Sequence, residues 1–180
     1  MSVPARVRPA RPAEAATLVP ALAELLIDCV AAGASISFMH PLGRERAEAF
    51  WRGVTDGAAR GERVLLVAED PAGAVVGTVQ VVLALPENQP HRGEIAKLLV
   101  HPRARRRGIA AVLMAAADDA ARAAGRTLLV LDTVTGGDAE RLYARLGWQR
   151  CGVIPDFALW PHGGFCSTTV FYKPLGNGGA

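Results

Sequence analysis

Apolar residues first recur at a helical interval. Leu18, Leu22, Leu25, Leu26 and Cys29 fall at i, i+4 and i+7 spacing, so residues 12–32 predict a helix with one buried face. Pro20 inside it predicts a kink or a late start. A short strand over 6–8, ended by Pro9, precedes it. Ala47, Phe50, Trp51 and Val54 repeat the helical interval and predict a second helix over 44–60. Between the helices lies G-A-S-I-S-F-M-H-P-L, a loop of small residues carrying Phe38, Met39 and His40. The period then shortens. R-V-L-L-V-A-E and A-V-V-G-T-V-Q-V-V-L-A-L predict two strands joined through D-P-A-G, a turn with Pro and Gly suitably placed.

After a loop over 86–93, residues 94–100 predict a third long strand. Residues 109–124 predict a helix with Ile109, Val112, Leu113, Ala116 and Ala120 inward, ended near Gly125. T-L-L-V-L-D is a near-continuous apolar run, as expected of a strand covered on both faces. A helix over 137–146 and an antiparallel pair, 148–154 with 167–172, close the chain. The tail G-N-G-G-A is expected to fray. The order β-α-α-β-β-β-α-β-α-β-β, without repeat or linker, predicts an α/β mixed sheet with helices on its faces. It also predicts a single domain over 1–180, its core about 5–175.

Composition narrows the function. The 180 residues are 51% hydrophobic and 21% charged, with a net charge of only +3, so any anion site must come from local clustering. Three dispersed cysteines without a C-x-x-C pair argue against a disulfide framework or a zinc site, and four dispersed histidines against any metal. M-S-V-P-A-R-V-R-P-A lacks the apolar core of a signal peptide, and no segment reaches the roughly 18 apolar residues of a membrane span. The expectation is a cytoplasmic protein.

Chemistry concentrates at E-I-A-K-L-L-V-H-P-R-A-R-R-R-G-I-A, where a strand breaks at a proline and four arginines lead into a helix. Free N–H groups at a helix start and the macrodipole already favour an anion there. Arginines beside them repel that dipole unless something negative, such as a polyphosphate, sits among them. Charge alone favours a solvated turn, which is what most charge runs are. Nucleic acid fits poorly: aromatics are 6% of the chain, none interleaves with the arginines, and no DNA-binding motif is present. Neither G-x-x-x-x-G-K-[ST] nor G-x-G-x-x-G occurs.

The order of residues says more. R-R-R-G-I-A, after the strand L-L-V and the break H-P, resembles the acyl-CoA-binding motif [QR]-x-x-G-x-[GA] of the GCN5-related N-acetyltransferases. A second element, A-E-R-L-Y-A-R-L-G-W (Ala139 to Trp148), is similar to that family's later A-x-x-[LF]-Y-x-x-x-G-[FW] helix. The resemblance covers essentially the whole chain. Within the family, G-A-S-I-S-F-M, E-I-A-K-L-L-V, L-D-T and T-V-F-Y-K-P-L look most like the tabtoxin-resistance acetyltransferases. One departure stands out: many relatives carry Asn, three residues before the alanine of the second motif, to contact the cofactor arm. Here that position is Gly136, which offers no side chain.

The resemblance implies a mostly antiparallel sheet in which strand 94–100 splays from its parallel neighbour 128–132. Acetyl-CoA, the expected acetyl donor, would lie in the gap, its amides pairing with the main chain of Leu98, Leu99 and Val100. The diphosphate would rest on N–H groups of the turn holding Arg105, Arg106, Arg107, Gly108, Ile109 and Ala110. Either Arg103 or Arg107 could serve the ribose phosphate. Acetyl transfer to an amine needs a base for the ammonium proton, a donor to the developing oxyanion, here a backbone N–H near Leu98 or Leu99, and an acid for the departing thiolate. Tyr143, on the second motif, is the candidate acid, with a core tyrosine as the plainer reading. Glu94, partnered by Asp132, is the candidate base. The alternatives are that both only orient the amine or pair with Lys97 or an arginine, or that a water is the base. The pocket is expected between the loop bearing Phe38 and His40 and the stretch D-F-A-L-W-P-H-G-G-F, with Phe157 and Trp160 as contacts. The expected activity is N-acetylation of a small-molecule primary amine, such as an amino-acid-like toxin or antibiotic. No metal, nucleic acid or membrane is expected to take part, and the expected state is monomer or homodimer. A catalytically silent acyl-CoA sensor and a peptide or protein N-acetyltransferase are the competing readings.

Overall fold

The computed structural model describes residues 5–176; the frayed tail expected beyond Gly176 lies outside the described residues. Seven strands make one sheet: β1 (Arg6–Pro9), β2 (Arg63–Glu69), β3 (Val75–Val82), β4 (Arg92–Val100), β5 (Leu128–Val134), β6 (Gln149–Leu159) and β7 (Phe165–Pro174), in the order β1-β2-β3-β4-β5-β7-β6. All neighbours are antiparallel except β4 and β5. Four helices cover it: α1 (Ala15–Ala31), α2 (Arg44–Ala59), α3 (Ile109–Ala123) and α4 (Asp138–Arg145). The expected mixed, mostly antiparallel sheet with one parallel pair is the architecture found.

Period-2 alternation sends each strand's side chains into two cores. On β2, Leu65 and Val67 join α1 and α2 in one cluster, whereas Leu66 and Ala68 join α3 in the other. Trp51, Leu22 and Leu26 centre the first cluster, Leu113, Met114 and Phe171 the second. Each such side chain, fully removed from water, contributes about 1.5–3 kcal/mol. At the β2–β3 turn, the Asp70 carboxylate accepts the N–H groups of Ala72 and Ala74, both at 3.0 Å. Gly73 takes the φ of +85° that closes the turn.

Several details differ from the sequence reading. A short 3-10 turn, Pro12–Glu14, precedes α1, which starts at Ala15 and runs on through Pro20, its sixth residue, on the exposed face. The inner face of α3 is Ile109, Leu113, Met114, Ala117, Asp118 and Ala121, and Val112 points outward at 48% exposure. Asp118 is tolerated inside because Lys173 of β7 donates to it at 2.6 Å. On β5 only Leu129 and Leu131 are fully buried, so one face is covered and the other borders open space. Strand β6 is an eleven-residue edge strand, longer than expected and nearly all exposed. Among the described residues no helix is long and apolar enough to cross a membrane.

Candidate functional site

The parallel seam between β4 and β5 is short. Its rungs are Arg92 with Leu128, Gly93 with Leu129 and Glu94 with Val130. Beyond Glu94 the strands part. A bulge on β4 marks the divergence: Thr78 of β3 faces Leu99 while Gln80 faces Ala96, and Lys97 adopts φ +51°. The extra residue shifts the alternation by one. Ile95 packs with α3, yet Leu99, four residues on, packs with α1 and α2, and Leu98 and Val100 now turn toward the α3 core. The wedge that results is part of a cleft of about 980 Å³.

On one side of the cleft stands the start of α3. Gly108 caps it with φ +79° and no side chain to accept a first-turn N–H, and that turn contains no acidic residue. A Cβ at Gly108 would meet nothing within 4 Å, so the glycine serves the backbone turn and leaves the approach open. Arg105, Arg106, Gly108, Ala110 and Ala111 line the cleft here. Arg106 also has a positive φ, +61°. An uncapped helix start with guanidiniums beside it and no carboxylate in its first turn is a seat for a diphosphate, so these residues fit the nucleotide end of acetyl-CoA. The nearby carboxylate of Asp138, on α4, is paired with Arg141. Helix α4 contrasts with it: Glu140 reaches back to accept the Gly136 N–H, which with Thr169 at 2.9 Å holds that carboxyl below its usual range. The Gly136 N–H, in the place where relatives carry an asparagine, is thus engaged within the chain.

Tyr143 of α4 reaches the cleft from the α3 core. It is 5% exposed, its ring edge-on to Trp148 at 5.9 Å and tilted against Phe171 at 6.0 Å. Its hydroxyl, bordering the cleft, has no hydrogen-bond partner among the described residues. Burial, and secondarily the Asp132 charge, push its pKa above the ordinary phenol value, so it stays protonated and able to donate. Opposite Leu131 in the alternation, Asp132 sits past the last rung of the seam and accepts the Thr168 hydroxyl at 2.7 Å. Glu94 occupies that last rung, its carboxylate 2.7 Å from Arg92. All three, Tyr143, Glu94 and Asp132, line the one cleft.

Other expected site residues divide. Leu98, Leu99 and Val100 line the open edge of β4, but the Val100 carbonyl already accepts from Arg105 Nε at 3.2 Å and from Cys29 Sγ at 3.6 Å. Ile109 contributes backbone only, its side chain being buried in the core. Arg107 is exposed away from the cleft lining, and Arg103 borders a separate cavity beside α1. Phe157 and Trp160 line the cleft as expected. Phe38 and His40 do not: Phe38 packs edge-on against Phe50 at 5.3 Å and under Arg46, and His40 packs against His162 at 4.6 Å. Both anchor their loop. Its serines, Ser35 and Ser37, face the cleft instead. Lys97 entered the sequence reading only as a possible ion-pair partner of Glu94 or Asp132; Glu94 pairs with Arg92 instead, and Lys97 itself lines the cleft. Its signal was there, one charge inside an apolar strand. Among the described residues no group of three His, Cys, Asp or Glu side chains is placed to hold a metal ion.

Comparison with known proteins matches this geometry. The profile of the Acetyltransferase (GNAT) family covers residues 22–148. An uncharacterised N-acetyltransferase of the hisH–hisA intergenic region of Azospirillum brasilense is 35% identical over 107 residues, 58% of this chain and 61% of that protein. The chain thus spans about three fifths of that relative's length. An N-acetyltransferase from Staphylococcus aureus superposes with a TM-score of 0.78 at 18% identity, covering 96% of this chain and 99% of that one. A phosphinothricin acetyltransferase from Sinorhizobium meliloti, in complex with acetyl-CoA, superposes with a TM-score of 0.77 at 20% identity, covering 98% and 91%. At those identities the two structures speak for the fold. The profile match runs through both arms of the wedge, α3 and the helix bearing Tyr143, and on it the chain belongs to the acetyltransferase (GNAT) family.

Proposed function

We propose that this protein is an N-acetyltransferase that moves the acetyl group of acetyl-CoA to a primary amine of a small molecule. The observation that carries the reading is the seam that opens after Glu94 into a cleft holding Tyr143, Glu94 and Asp132 beside the uncapped start of α3. When bound, acetyl-CoA supplies an acetyl thioester. Arg105, Arg106 and the N–H groups of Ile109 and Ala110 hold its phosphates, and the unpaired edge of β4 at Leu98 and Leu99 holds its amide arm. Asp132, fixed by Thr168, orients the acceptor's ammonium. Glu94 takes its proton, because an ammonium has no lone pair with which to attack. The freed nitrogen then bonds to the thioester carbonyl carbon, the C–S bond breaks, Tyr143 Oη gives its proton to the departing sulfur, and the second proton lost by the nitrogen restores the phenol. The acceptor class belongs to this proposal, a small amino-acid-like compound of the kind handled by the tabtoxin-resistance subgroup, and so does a cytoplasmic setting, which the three free cysteines support.

An amine panel incubated with acetyl-CoA, followed by thiol release and product mass, tests it. Product one acetyl group heavier than an amine is the expected result. Acetyl-CoA binding without turnover on any amine would instead identify a silent acyl-CoA sensor.

A further inference from the structure

Lys97 interrupts an apolar strand and takes no part in the acyl transfer outlined above. Its backbone occupies the left-handed region at φ +51°, which a side-chain-bearing residue enters only where its surroundings impose it. Its ammonium is half-buried in the cleft, donating to Ser37 Oγ at 2.9 Å with Phe50 5.9 Å away. Ser37 itself lies at φ +76°, so two strained residues from separate elements hold each other at one point of the wall. An ammonium has three donors, and among the described residues Ser37 uses one. No carboxylate among the described residues forms an ion pair with it. Burial draws its pKa down, and the nearby Asp132 charge only partly opposes this.

The charges on this face form a pattern. Glu94 and Asp132 present two carboxylates. Of the cations lining the same cleft Lys97 alone stands on β4, Arg105 and Arg106 standing at the start of α3 and Arg141 and Arg145 on α4, and Phe157 and Trp160 line it too. A simple amine would bring its own positive charge toward Lys97. An amine bearing an acid group would meet opposite charge at both ends. Resting on the acetyltransferase reading, we infer that the acceptor is a zwitterion whose carboxylate, or equivalent oxyacid, is held by Lys97 Nζ and Ser37 Oγ while Asp132 and Glu94 hold its ammonium. Lys97 is then a specificity residue that positions the acceptor without touching the reacting atoms.

The test uses matched pairs of α-amino acids and their carboxamides or decarboxylated amines, assayed with the wild type, Lys97→Met and Lys97→Arg. The wild type should favour the acid member of a pair, and Lys97→Met should raise its KM about 10- to 100-fold, as for loss of a hydrogen-bonded charge, with kcat nearly unchanged. The neutral member should be unaffected or improved, acetyl-CoA affinity unchanged, and Lys97→Arg should recover part of the loss. Equal losses on both members would overturn the inference while leaving the acetyltransferase reading intact. So would a fall in kcat with a displaced pH profile, which marks a base, or an acetyl group found on Lys97 by mass. If the wild type binds acetyl-CoA yet acetylates nothing, the acetyltransferase reading fails instead. Calorimetry of the same pairs then decides the anion site: acid binding that disappears in Lys97→Met supports it, and equal binding of both members removes it.

Discussion

Replacing Tyr143 by Phe should separate chemistry from stability. The ring is 5% exposed and packs against Trp148 and Phe171, and phenylalanine keeps those contacts. The hydroxyl it loses has no partner among the described residues, so the change in folding free energy should stay within about 1 kcal/mol. For a chain of this size that is a Tm shift of about 2–4 °C at most. The proton donor, by contrast, is gone. Positioned acid catalysis is worth about 10²- to 10⁴-fold, so kcat should fall by that factor while acetyl-CoA affinity holds. A control lies in the raised pKa of Tyr143. The folded state keeps this phenol protonated where an unfolded one ionises near pH 10, so the phenolate absorbance of native wild type and Tyr143→Phe should superimpose up to about pH 10. Above that pH the wild type should lose stability more steeply than the variant, since the phenol of its unfolded state ionises while the folded one stays protonated; the buried Cys29, its pKa raised by burial, adds the same loss to both. Stopped thiol release, thermal unfolding and absorbance titration give the three readouts. A variant with unchanged kcat, or with a loss of activity matched by a collapse in Tm, would refute the assignment of Tyr143 as the acid.

Other perturbations have equally definite outcomes. Gly108→Ala should destabilise by roughly 1–2 kcal/mol through its positive φ alone, since no atom blocks the new methyl, and calorimetry should show weaker acetyl-CoA binding. Arg106→Gln should weaken that binding about 10- to 100-fold, whereas Arg107→Gln, off the cleft, should leave it unchanged in the same titration. Lys173→Met strands the buried Asp118 carboxylate and should cost about 3–5 kcal/mol in denaturant unfolding; adding Asp118→Asn should recover most of it. Glu14, held by Arg11 and Arg8, has its pKa lowered to about 2. Its folded value lies below its unfolded one, so its contribution is present above about pH 4.5 and is lost as pH falls toward about 2; carboxyl NMR shifts of Glu14 should show that midpoint.

Most of this architecture was legible in the residues. The two helical repeats around Leu22 and Trp51, the D-P-A-G turn and the proline-then-glycine entry to α3 each state a local preference that the packing honours. The paired motifs around Gly108 and Tyr143 brought the cleft into view before any coordinates. The misreadings share a physical cause. Strand β6 is an edge strand with little buried surface, so its full length leaves no periodic trace. Val112 lies outward because α3 meets the sheet through its small residues, Ala117 and Ala121, whose inward role hydrophobicity alone does not signal. The bulge at Lys97 is invisible because no glycine or asparagine announces it, and Phe38 and His40 resemble ligand contacts until their ring partners, Phe50 and His162, are seen.

The brevity of the β4–β5 seam has a mechanical corollary. Two leaves, β1–β4 and β5–β7, share the sheet's ladder only at Arg92, Gly93 and Glu94. Elsewhere they are joined by α3, which Lys173 ties to the second leaf, and by the 31–40 segment, whose His40 N–H and Ser35 hydroxyl donate to the Pro161 and Leu159 carbonyls. A molecule wedged between them acts as a rivet: at a hundredfold excess over its Kd it would add about 2.7 kcal/mol to the resistance against unfolding. Amide exchange along 95–100 and 131–134 would slow together as the leaves stop breathing. The gap proposed to admit the donor is therefore also where neighbouring strands share least of the sheet's ladder.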